Sequence, residues 1–363
     1  MVKFVRKLID KSYTTVEKNR FLRSFKPVLD ATDAFFFGPL ESAEESPYLR
    51  DYLDLKRLMV AVVLAAAPAA IASTYFYGWR AVAIIIVSYI SGGAAEVAFS
   101  IIRKEEITEG FLVTGLLFPL TLPPTIPLWM VAVGMIVGVV LGKEVFGGTG
   151  RNVFNPALVG RVFLTITFPV VMTTQWAVPA SGVWGGFTKY AVDTVTSASP
   201  LTIFKATGEI ASYKDLFLGM VPGSLGETSK VLIILGGIFL VFTRISDWRI
   251  PASYLGTVAL FSWIGFSFWP SLVAPPLFQL LSGGLLFGAM FMATDPVTCP
   301  TTSYGRWIYA VALGVLTVSI RAFSGYVEGV MFSILFMNLF APALDELVIT
   351  LRFGKVKKPY ETG

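Results

Sequence analysis

The sequence predicts an all-α polytopic membrane protein with about ten transmembrane helices, arranged as two inverted five-helix repeats. Hydrophobic residues make up 55% of the 363-residue chain and charged residues only 15%, whereas soluble domains carry about 25% charged residues. The apolar residues form runs long enough to cross a bilayer, which takes roughly 20 residues per helix. A segment of the first half also recurs in the second half. These three observations together predict the fold class.

The apolar runs and the segments between them divide the chain into five parts. A basic N-terminal segment (1–57) precedes the first repeat (58–175), a polar loop (176–228) separates it from the second repeat (229–347), and a tail (348–363) follows. Lys and Arg are concentrated on the side of the N-terminus, so both termini are predicted to be cytoplasmic and the loop extracytoplasmic. The predicted location is the bacterial cytoplasmic (inner) membrane. The predicted spans are residues 58–78, 81–102, 110–127, 128–143, 156–175, 229–244, 250–270, 276–294, 306–321 and 326–347.

The two halves share a proline-interrupted segment at matching places. "GLLFPLTLPPT" (115–125) aligns with "GAMFMATDPVT" (288–298) at the same spacing. Since each half contributes an odd number of spans, the second copy enters the membrane upside down, and such folds hold ligands beside interrupted helices. Either proline-rich stretch alone is equally well explained as an ordinary turn between helices.

The residue types that are absent exclude several kinds of redox centre. The chain has no histidine and a single cysteine, Cys299. A haem usually needs His, an iron–sulfur cluster needs about four Cys, and zinc sites draw on both residue types. If the chain carries electrons, an organic cofactor must hold them. The net charge of +5 does not indicate a nucleic-acid partner, because the basic residues lie where the topology rule places them.

Four acidic residues are candidates for an ion pathway. Glu96 lies inside the second predicted span, Asp295 and Asp345 lie at the inner ends of the eighth and tenth, and Glu328 lies near the outer end of the tenth. Carboxylates at membrane depth are costly and usually face the protein interior or an ion path. Together they predict a route for Na⁺ or H⁺. The alternatives are an interhelical hydrogen bond for Glu96 and helix capping for an Asp that precedes Pro.

The segment "KEVFGGTGRNVFNPALVGR" (143–161) is rich in Gly and Asn. It is not a P-loop, because no Lys-Ser/Thr pair follows its glycines. The amides of Asn152 and Asn155, with free backbone N–H groups, are predicted to hold a polar ring or a phosphate. The alternative for Asn-Pro is a simple helix start. Arg161 is expected to reach the interior or to meet an acid or a ligand.

The stretch "AVDTVTSASPLTIFKATG" (191–208) places several hydroxyl groups in the polar loop. Together with other motifs it makes the chain similar, over essentially its full length, to the NqrB/RnfD family. These are the flavin-carrying membrane subunits of the Na⁺-pumping NADH:quinone oxidoreductase (Nqr) and of the Rnf ferredoxin:NAD⁺ oxidoreductase. The other motifs are "LRDYLDLKRLM" (49–59), "KEVFGGTGRNVFNPALVGR", "PGSLGETS" (222–229), "FMATDPVT" (291–298) and "YVEGVMFSILFMNLFAPALD" (326–345).

The resemblance implies an FMN that is joined through its phosphate to a side-chain hydroxyl in this loop. The family pattern is an Asp, a short gap, then Ser/Thr-Gly-Ala-Thr followed by Pro-Leu. Here Asp193 is followed by Thr196, Ser197, Ala198 and Ser199, so the acceptor maps onto Ser199. Ser replaces Gly at 197 and Thr at 199. The flavin transferase of the family acts outside the cytoplasm, which agrees with the predicted topology; the alternative is an unmodified turn.

The resemblance also implies a second, non-covalent flavin (riboflavin), placed here near Asn152 and Asn155. It matches Glu96, Asp295 and Asp345 to acidic positions linked to cation uptake. The implied function is that of one subunit in an ion-translocating oxidoreductase complex, not catalytic alone. The implied partners are the other membrane and peripheral subunits, including a second flavin-bearing protein and iron–sulfur proteins of the complex.

The motifs divide between the two complexes. The basic N-terminal segment, "KEVFGGTGRN" and "MFMATDPV" resemble the Nqr member of the family, whereas "DTVTSASPLTIFK", "PVVMTTQW" and "AFSGYVEGV" resemble the Rnf member. The balance favours RnfD of the Rnf complex, with NqrB of the Nqr complex as the alternative. A passive channel or small-solute transporter and a purely structural membrane anchor are the alternatives from other classes.

Overall fold

The computed structural model describes residues 29, 55–104, 110–180, 182, 184–191 and 197–354. Within these ranges the chain is helical and forms no strand, and a single antiparallel bridge joins Trp176 to Ser197. The predicted all-α class is therefore confirmed. Most of the predicted N-terminal segment and of the tail lies outside the described residues.

The described residues form fourteen α-helices, which we number in chain order. They are α1 (Leu55–Tyr77), α2 (Trp79–Arg103), α3 (Gly110–Leu120), α4 (Leu128–Gly142), α5 (Pro156–Thr167), α6 (Pro169–Thr174), α7 (Pro200–Thr207), α8 (Tyr213–Leu218), α9 (Lys230–Phe242), α10 (Arg249–Phe268), α11 (Pro276–Leu281), α12 (Leu285–Phe287), α13 (Ser303–Phe323) and α14 (Val330–Phe353). A π-helical turn, Gly288–Met292, continues α12 directly.

Six helices of the described chain are long and apolar enough to cross a membrane. They are α1, α2, α4, α10, α13 and α14, and each coincides with a predicted span. The chain is thus a multi-pass membrane protein by length and composition of its helices. The arrangement of ten spans in two inverted repeats remains a prediction.

The other four predicted spans are shorter than the sequence suggested. Helices α3, α5 and α9 have only 11, 12 and 13 residues. Prolines end the first two, since the "TLPPTIP" turn follows α3 and Phe168-Pro169 separates α5 from α6. The predicted span 276–294 is broken into α11, α12 and the π-helical turn, with Gly283 at φ +64° in the break. Each break leaves backbone N–H and C=O groups without helical partners.

The short elements run between two polar regions of the molecule. At one end they contact the loop segment 219–229: Gly226 N–H donates to Leu120 O at 2.6 Å, and Leu225 N–H donates to Leu122 O at 3.1 Å. At the other end they contribute Thr114, Leu240 and Asp295 to one cavity. The interrupted helices therefore position both candidate sites.

Close backbone packing fixes the position of the start of α5 against α4. A Cβ at Gly138 of α4 would lie 2.6 Å from Pro156 O, and a Cβ at Gly160 of α5 would lie 2.5 Å from Gly134 O. Only glycine allows the two helices to approach this closely, which is how small residues act at membrane helix interfaces. This contact holds Asn155, at the start of α5, against the end of α4.

Candidate functional site

Ser199 is the N-cap residue of α7. Its hydroxyl accepts a hydrogen bond from Thr202 N–H at 3.3 Å and lies 2.9 Å from Thr202 Oγ1. Pro200 occupies the first helical position, where its fixed φ and missing N–H favour helix initiation. On the other side, Ser197 donates both its N–H, at 3.1 Å, and its hydroxyl, at 3.2 Å, to Trp176 O. The acceptor predicted from sequence is therefore held from both flanks.

Helix α7 is anchored to the second half of the chain. Leu201 and Phe204 pack with Leu216 and Phe278, and the Phe204 and Phe278 rings lie 5.5 Å apart. Lys205 Nζ donates to the carbonyl oxygens of three residues before α14, Arg321, Ser324 and Tyr326. Ser199 thus belongs to a docked helix, whereas Asp193 and Thr196 lie outside the described residues.

Ser199 borders a small, partly open cavity. Glu227, Lys230 and Glu328 contribute its charged groups, and Trp176 contributes an aromatic wall. The remaining walls come from Pro200, Leu201, Leu216, Val221, Pro222, Gly223, Thr228, Leu281 and Gly283. We call this space the Ser199 cavity.

Most charges around the Ser199 cavity have hydrogen-bond partners. Glu328 pairs with Arg161 of α5 and accepts Gly284 N–H at 2.5 Å. Lys230 Nζ donates to the carbonyl oxygens of Glu227, at 2.5 Å, and Gly283, at 3.2 Å. These charged groups therefore stabilise the helix breaks on either side of the cavity. The expectation that Arg161 meets an acid is confirmed by its pair with Glu328.

Glu227 is less completely satisfied than Glu328 or Lys230. Its side chain is 8% exposed, and Oε1 accepts Ser224 N–H at 2.9 Å. Its second oxygen, Oε2, is buried and has no hydrogen-bond partner. Burial, reinforced by the negative charge of Glu328, raises the pKa of the Glu227 carboxyl, whereas Lys230 and Arg161 act in the opposite direction. The free oxygen belongs to a residue that lines the cavity.

The chemistry of the Ser199 cavity fits a phosphate ester with an attached aromatic ring. A phosphate on Ser199 Oγ would lie at the N-terminus of α7, where the Thr202 N–H already points at that oxygen. Helix N-termini stabilise anions through free N–H groups and the helix dipole. Trp176 and the apolar walls suit a flat ring.

Asn155 is the N-cap residue of α5 and lines a second, larger cavity. Its Oδ1 accepts the N–H groups of Ala157, at 3.1 Å, and Leu158, at 3.4 Å. Its Nδ2 donates to Asp295 Oδ2 at 3.4 Å. The helix-start interpretation and the ligand interpretation therefore both apply to this residue: the carbonyl oxygen caps the helix while the amide nitrogen faces an acid.

The second cavity is also partly open and is the larger of the two. Lys143, Asn152, Asn155 and Asp295 are among its polar residues. Apolar side chains form most of its walls, among them Leu58, Met59, Val62, Val113, Leu117, Leu240, Ile245 and Phe291. We call this space the Asn155 cavity; an apolar lining with a few polar groups is typical of a cofactor site.

One polar group of the Asn155 cavity has no partner. Ser246 is 6% exposed, and its buried hydroxyl makes no hydrogen bond. Asn152, by contrast, accepts Gly150 N–H at 3.3 Å and donates to Phe154 O at 3.1 Å, so its amide shapes the loop. An unpartnered hydroxyl in the same apolar cavity as Asn155 suits a neutral ring that carries hydrogen-bonding atoms.

Asp295 links the two halves of the chain at the Asn155 cavity. It accepts hydrogen bonds from Val297 N–H and Thr298 Oγ1, both at 3.2 Å, and from Asn155. Burial raises the pKa of the Asp295 carboxyl, and these three donors only partly oppose the increase. The Asp-Pro turn thus caps itself, as the sequence alternative proposed, and also joins the site.

Glu96 forms a buried ion pair beside the Asn155 cavity. Lys143 Nζ lies 2.6 Å from Glu96 Oε1, and each side chain is only 4% exposed. Lys143 itself lines the cavity. The pair joins α2 to the end of α4, which agrees with the interhelical alternative for Glu96 and leaves its predicted role in ion transfer open.

Asp345 lies apart from the linings of both cavities. Its two oxygens accept the N–H and hydroxyl groups of Thr301 and Thr302, at 2.5–2.9 Å. Thr302 is the N-cap residue of α13. Asp345 therefore ties α14 to the start of α13, and its assignment to an ion pathway remains a prediction.

The structure separates the predicted site residues into two groups and adds others. Ser199 and Glu328 share one cavity, and Asn152, Asn155 and Asp295 share the other. The sequence alone assigns no role to Glu227, Lys230, Lys143 or Ser246. A signal existed for the first two, because "PGSLGETSK" places an acid and a lysine directly before an apolar helix. No comparable signal marks Ser246.

Comparisons with known proteins agree with these motifs. Residues 42–354 match the family model described as the NQR2, RnfD, RnfE family. The chain is 38% identical to the B-type subunit of the Na⁺-translocating NADH-quinone reductase of Pseudomonas paraeruginosa, over 95% of this chain and 96% of that protein. It is 37% identical to the protein of the same name from Klebsiella pneumoniae, over 93% and 95% of the two chains. These relatives support the Nqr alternative and not the Rnf preference drawn from the sequence.

Proposed function

Since the chain belongs to the NQR2, RnfD, RnfE family, we propose that it is the B-type membrane subunit of a Na⁺-translocating NADH:quinone reductase. In this proposal Ser199 carries FMN through a phosphoester, and the Asn155 cavity holds a second, non-covalent flavin. The complex lies in the bacterial cytoplasmic membrane, and both termini of the chain are cytoplasmic. The chain is one part of an oxidoreductase whose other subunits handle NADH.

The observation that carries the proposal is the setting of Ser199. Its hydroxyl caps α7 and borders a cavity that also contains Lys230 and Trp176. After esterification, the Thr202 N–H can donate to the ester as it now donates to the hydroxyl. Serine supplies the oxygen that a phosphoester requires, so the replacement of threonine at this position preserves the chemistry.

The chain's own residues provide binding, orientation and exclusion of water. The docked helix α7 fixes the attachment point, and Trp176 with the apolar walls shields a ring from solvent. In the Asn155 cavity, Asn155 and Ser246 offer hydrogen bonds within an apolar enclosure. A bound flavin supplies electron transfer at each site. Burial in apolar surroundings strengthens the effect of the cluster charges on any charge that forms there.

Three short segments connect the two cavities. Lys230 at the start of α9 lines the first cavity and Leu240 near its end lines the second. Ten residues of α-helix rise about 15 Å. The broken segment 276–292 also extends between the cavities, since Gly283 lines the first and Phe291 lines the second. Helix α5 does so in the opposite chain direction, since Asn155 lines the second cavity and Arg161 pairs with Glu328 at the first. This separation suits electron relay between two held cofactors.

Substitution of Ser199 by Ala tests the proposal. We expect the purified, denatured protein to lose all in-gel flavin fluorescence, and its intact mass to fall by one FMN ester in addition to the lost oxygen. Complexes should be produced in a host that contains the flavin transferase.

Ser197→Ala is the matched control, because its hydroxyl lies two residues away and its N–H still bonds to Trp176 O. It should retain the covalent flavin, and Ser199→Thr should restore it. A parent protein with only the mass of the translated polypeptide would exclude the proposal.

A further inference from the structure

The unpartnered Glu227 carboxylate oxygen is the one group of the Ser199 cavity that our proposed function leaves unexplained. It belongs to a side chain that is 92% buried, because only 8% is exposed. Leaving a buried charged oxygen without a hydrogen bond costs free energy. Groups of this kind are satisfied by water, by a ligand or by a change in their own protonation.

The nearest arginines already hold other groups, although the Nε atom of each is buried without a partner of its own. Arg161 pairs with Glu328. Arg321 donates to Gln279 O and Oε1, both at 2.8 Å, and to Ser282 O at 3.1 Å. The titratable and charged groups around Glu227 are Tyr77 from α1, Arg161 from α5, Lys230 from α9, Arg321 from α13 and Glu328 from the segment before α14.

Two glycines leave room for this carboxylate. A Cβ at Gly223 would overlap Glu227 Oε1, and a Cβ at Gly284 would lie 3.5 Å from Oε2 and 3.2 Å from Glu328 Oε1. The carboxylate therefore occupies space that any other residue at 223 would fill. The local fold is built to hold an acid at this point, next to the cavity that Ser199 borders.

We propose that Glu227 is a redox-linked proton site, whose carboxylate binds one proton from solution when the flavin on Ser199 accepts one electron. The proposal rests on the proposed function. The electron comes from a flavin or iron–sulfur donor in another protein of the complex. The proton forms an O–H bond at Oε2, so the net charge of the cavity is unchanged. On reoxidation the electron passes to the next flavin or quinone acceptor, and the proton returns to solution.

The balance of charges around Glu227 places this carboxyl where a small change can protonate it. Burial and Glu328 favour the neutral acid, whereas Lys230 and Arg161 favour the carboxylate. An added negative charge within the same cavity favours the neutral acid further. Glu328 does not share this freedom, because Arg161 and the Gly284 N–H hold it as a carboxylate.

Spectroelectrochemical titration of the covalent flavin in the purified complex, repeated over a range of pH, tests this proposal. In the parent complex we expect the midpoint potential to fall as pH rises. In Glu227→Gln the dependence on pH should be lost while covalent flavin is retained. Glu209→Gln is the matched control, since this exposed acid in the same loop region lies outside the cavity.

The possible outcomes separate this proposal from the proposed function. Absence of covalent flavin in the parent would overturn both proposals. If Glu227→Gln keeps its covalent flavin and the midpoint potential of that flavin still depends on pH, only the proton site is overturned. The proton site is also overturned if the midpoint potential depends on Na⁺ concentration and not on pH, and Glu227→Gln abolishes that dependence.

A second measurement starts from the parent complex and uses a variant that keeps the carboxyl group. The infrared difference spectrum of the parent complex, reduced minus oxidised, should gain the C=O band of one protonated carboxylic acid. Glu227→Asp should shift this band. A spectrum without such a band would also overturn the proposal.

Discussion

Two cavities bracket the short helices, and their polar groups are organised differently. The Ser199 cavity is lined by Glu227, Lys230 and Glu328, whose charges hold the surrounding helix breaks through hydrogen bonds to backbone. The Asn155 cavity has mainly apolar walls, and the charge of Lys143 is neutralised by Glu96. The Ser199 cavity is therefore organised by charged side chains bonded to backbone groups, and the Asn155 cavity by apolar walls with a few amide side chains.

This difference suits two ways of retaining a flavin. The Ser199 cavity is the smaller one and lies against loop segments, so a covalent bond is an effective way to keep a ligand there. The Asn155 cavity is larger and apolar, which favours retention of a neutral ring by burial alone. The same helices support both sites, so perturbations of one should be separable from perturbations of the other.

The largest effect is expected from the buried ion pair beside the Asn155 cavity. Lys143→Met removes the positive charge that lies 2.6 Å from the Glu96 carboxylate, where both side chains are almost fully buried. Removing one partner of a buried pair costs about 3–5 kcal/mol of the free energy of unfolding. Thermal inactivation of the purified complex should reveal this loss, with covalent flavin retained in whatever complex assembles.

The double variant Lys143→Met with Glu96→Gln tests whether the lost stability comes from the broken ion pair or from altered side-chain packing. If the cost comes from an uncompensated charge, the double variant should recover most of the stability lost in Lys143→Met. Equal instability of the single and double variants would show that the loss does not come from an uncompensated charge on Glu96. Glu96→Gln alone should slow Na⁺-coupled turnover; unchanged Na⁺ dependence would argue against an ion-transfer role.

A medium effect is expected from the cap of α5. Asn155→Ala removes the acceptor for the Ala157 and Leu158 N–H groups, and loss of an N-cap costs about 1–2 kcal/mol. The amide that faces Asp295 is lost with it. We expect lower stability together with loss of flavin that acid can extract, while in-gel fluorescence from Ser199 persists.

Asn155→Ser separates the two roles of this residue. Serine caps helices about as well as asparagine, so stability should return, but the amide donor is still missing. Extractable flavin should therefore stay low. Full recovery of both stability and flavin would show that Asn155 acts only as a helix cap.

The fold class could be predicted from the sequence because composition and run length decide it. Four of the predicted spans were too long for a physical reason. Hydropathy reports how apolar a segment is, and the segments that form the cavities are apolar whether or not they form one continuous helix. Predicting the breaks at Phe168-Pro169 and Gly283 would have required the positions of neighbouring backbone segments, which a single sequence does not contain.

The site residues divide along the same line. Ser199 could be found because its neighbours form a pattern along the chain, and Arg161 could be expected to meet an acid because a charge there needs a partner. Glu227 and Ser246 could not be assigned in advance. Each is identified by an oxygen that has no partner, and that property depends on side chains from distant segments.

The smallest effect is expected at the turn that carries Ser246 to the Asn155 cavity. Asp247 Oδ1 accepts the Arg249 N–H at 2.9 Å, and Oδ2 pairs with the guanidinium groups of Arg249 and Arg306. Burial favours the protonated acid, but the Arg249 N–H and Arg306 outweigh it and hold the pKa of Asp247 below its usual value. Asp247→Asn should lower stability at neutral pH by about 1 kcal/mol, since these groups are partly exposed.

The pH dependence of this effect follows from the lowered pKa. A carboxyl whose folded-state pKa is depressed stabilises the fold above its unfolded pKa of about 4, and this contribution disappears as pH falls through the folded pKa. The difference in apparent Tm between parent and Asp247→Asn should therefore be present at pH 7 and shrink below about pH 4. Because Asp247 holds a wall of the Asn155 cavity, extractable flavin should decrease slightly and covalent flavin should not; equal loss of both would show that the two cavities do not respond separately.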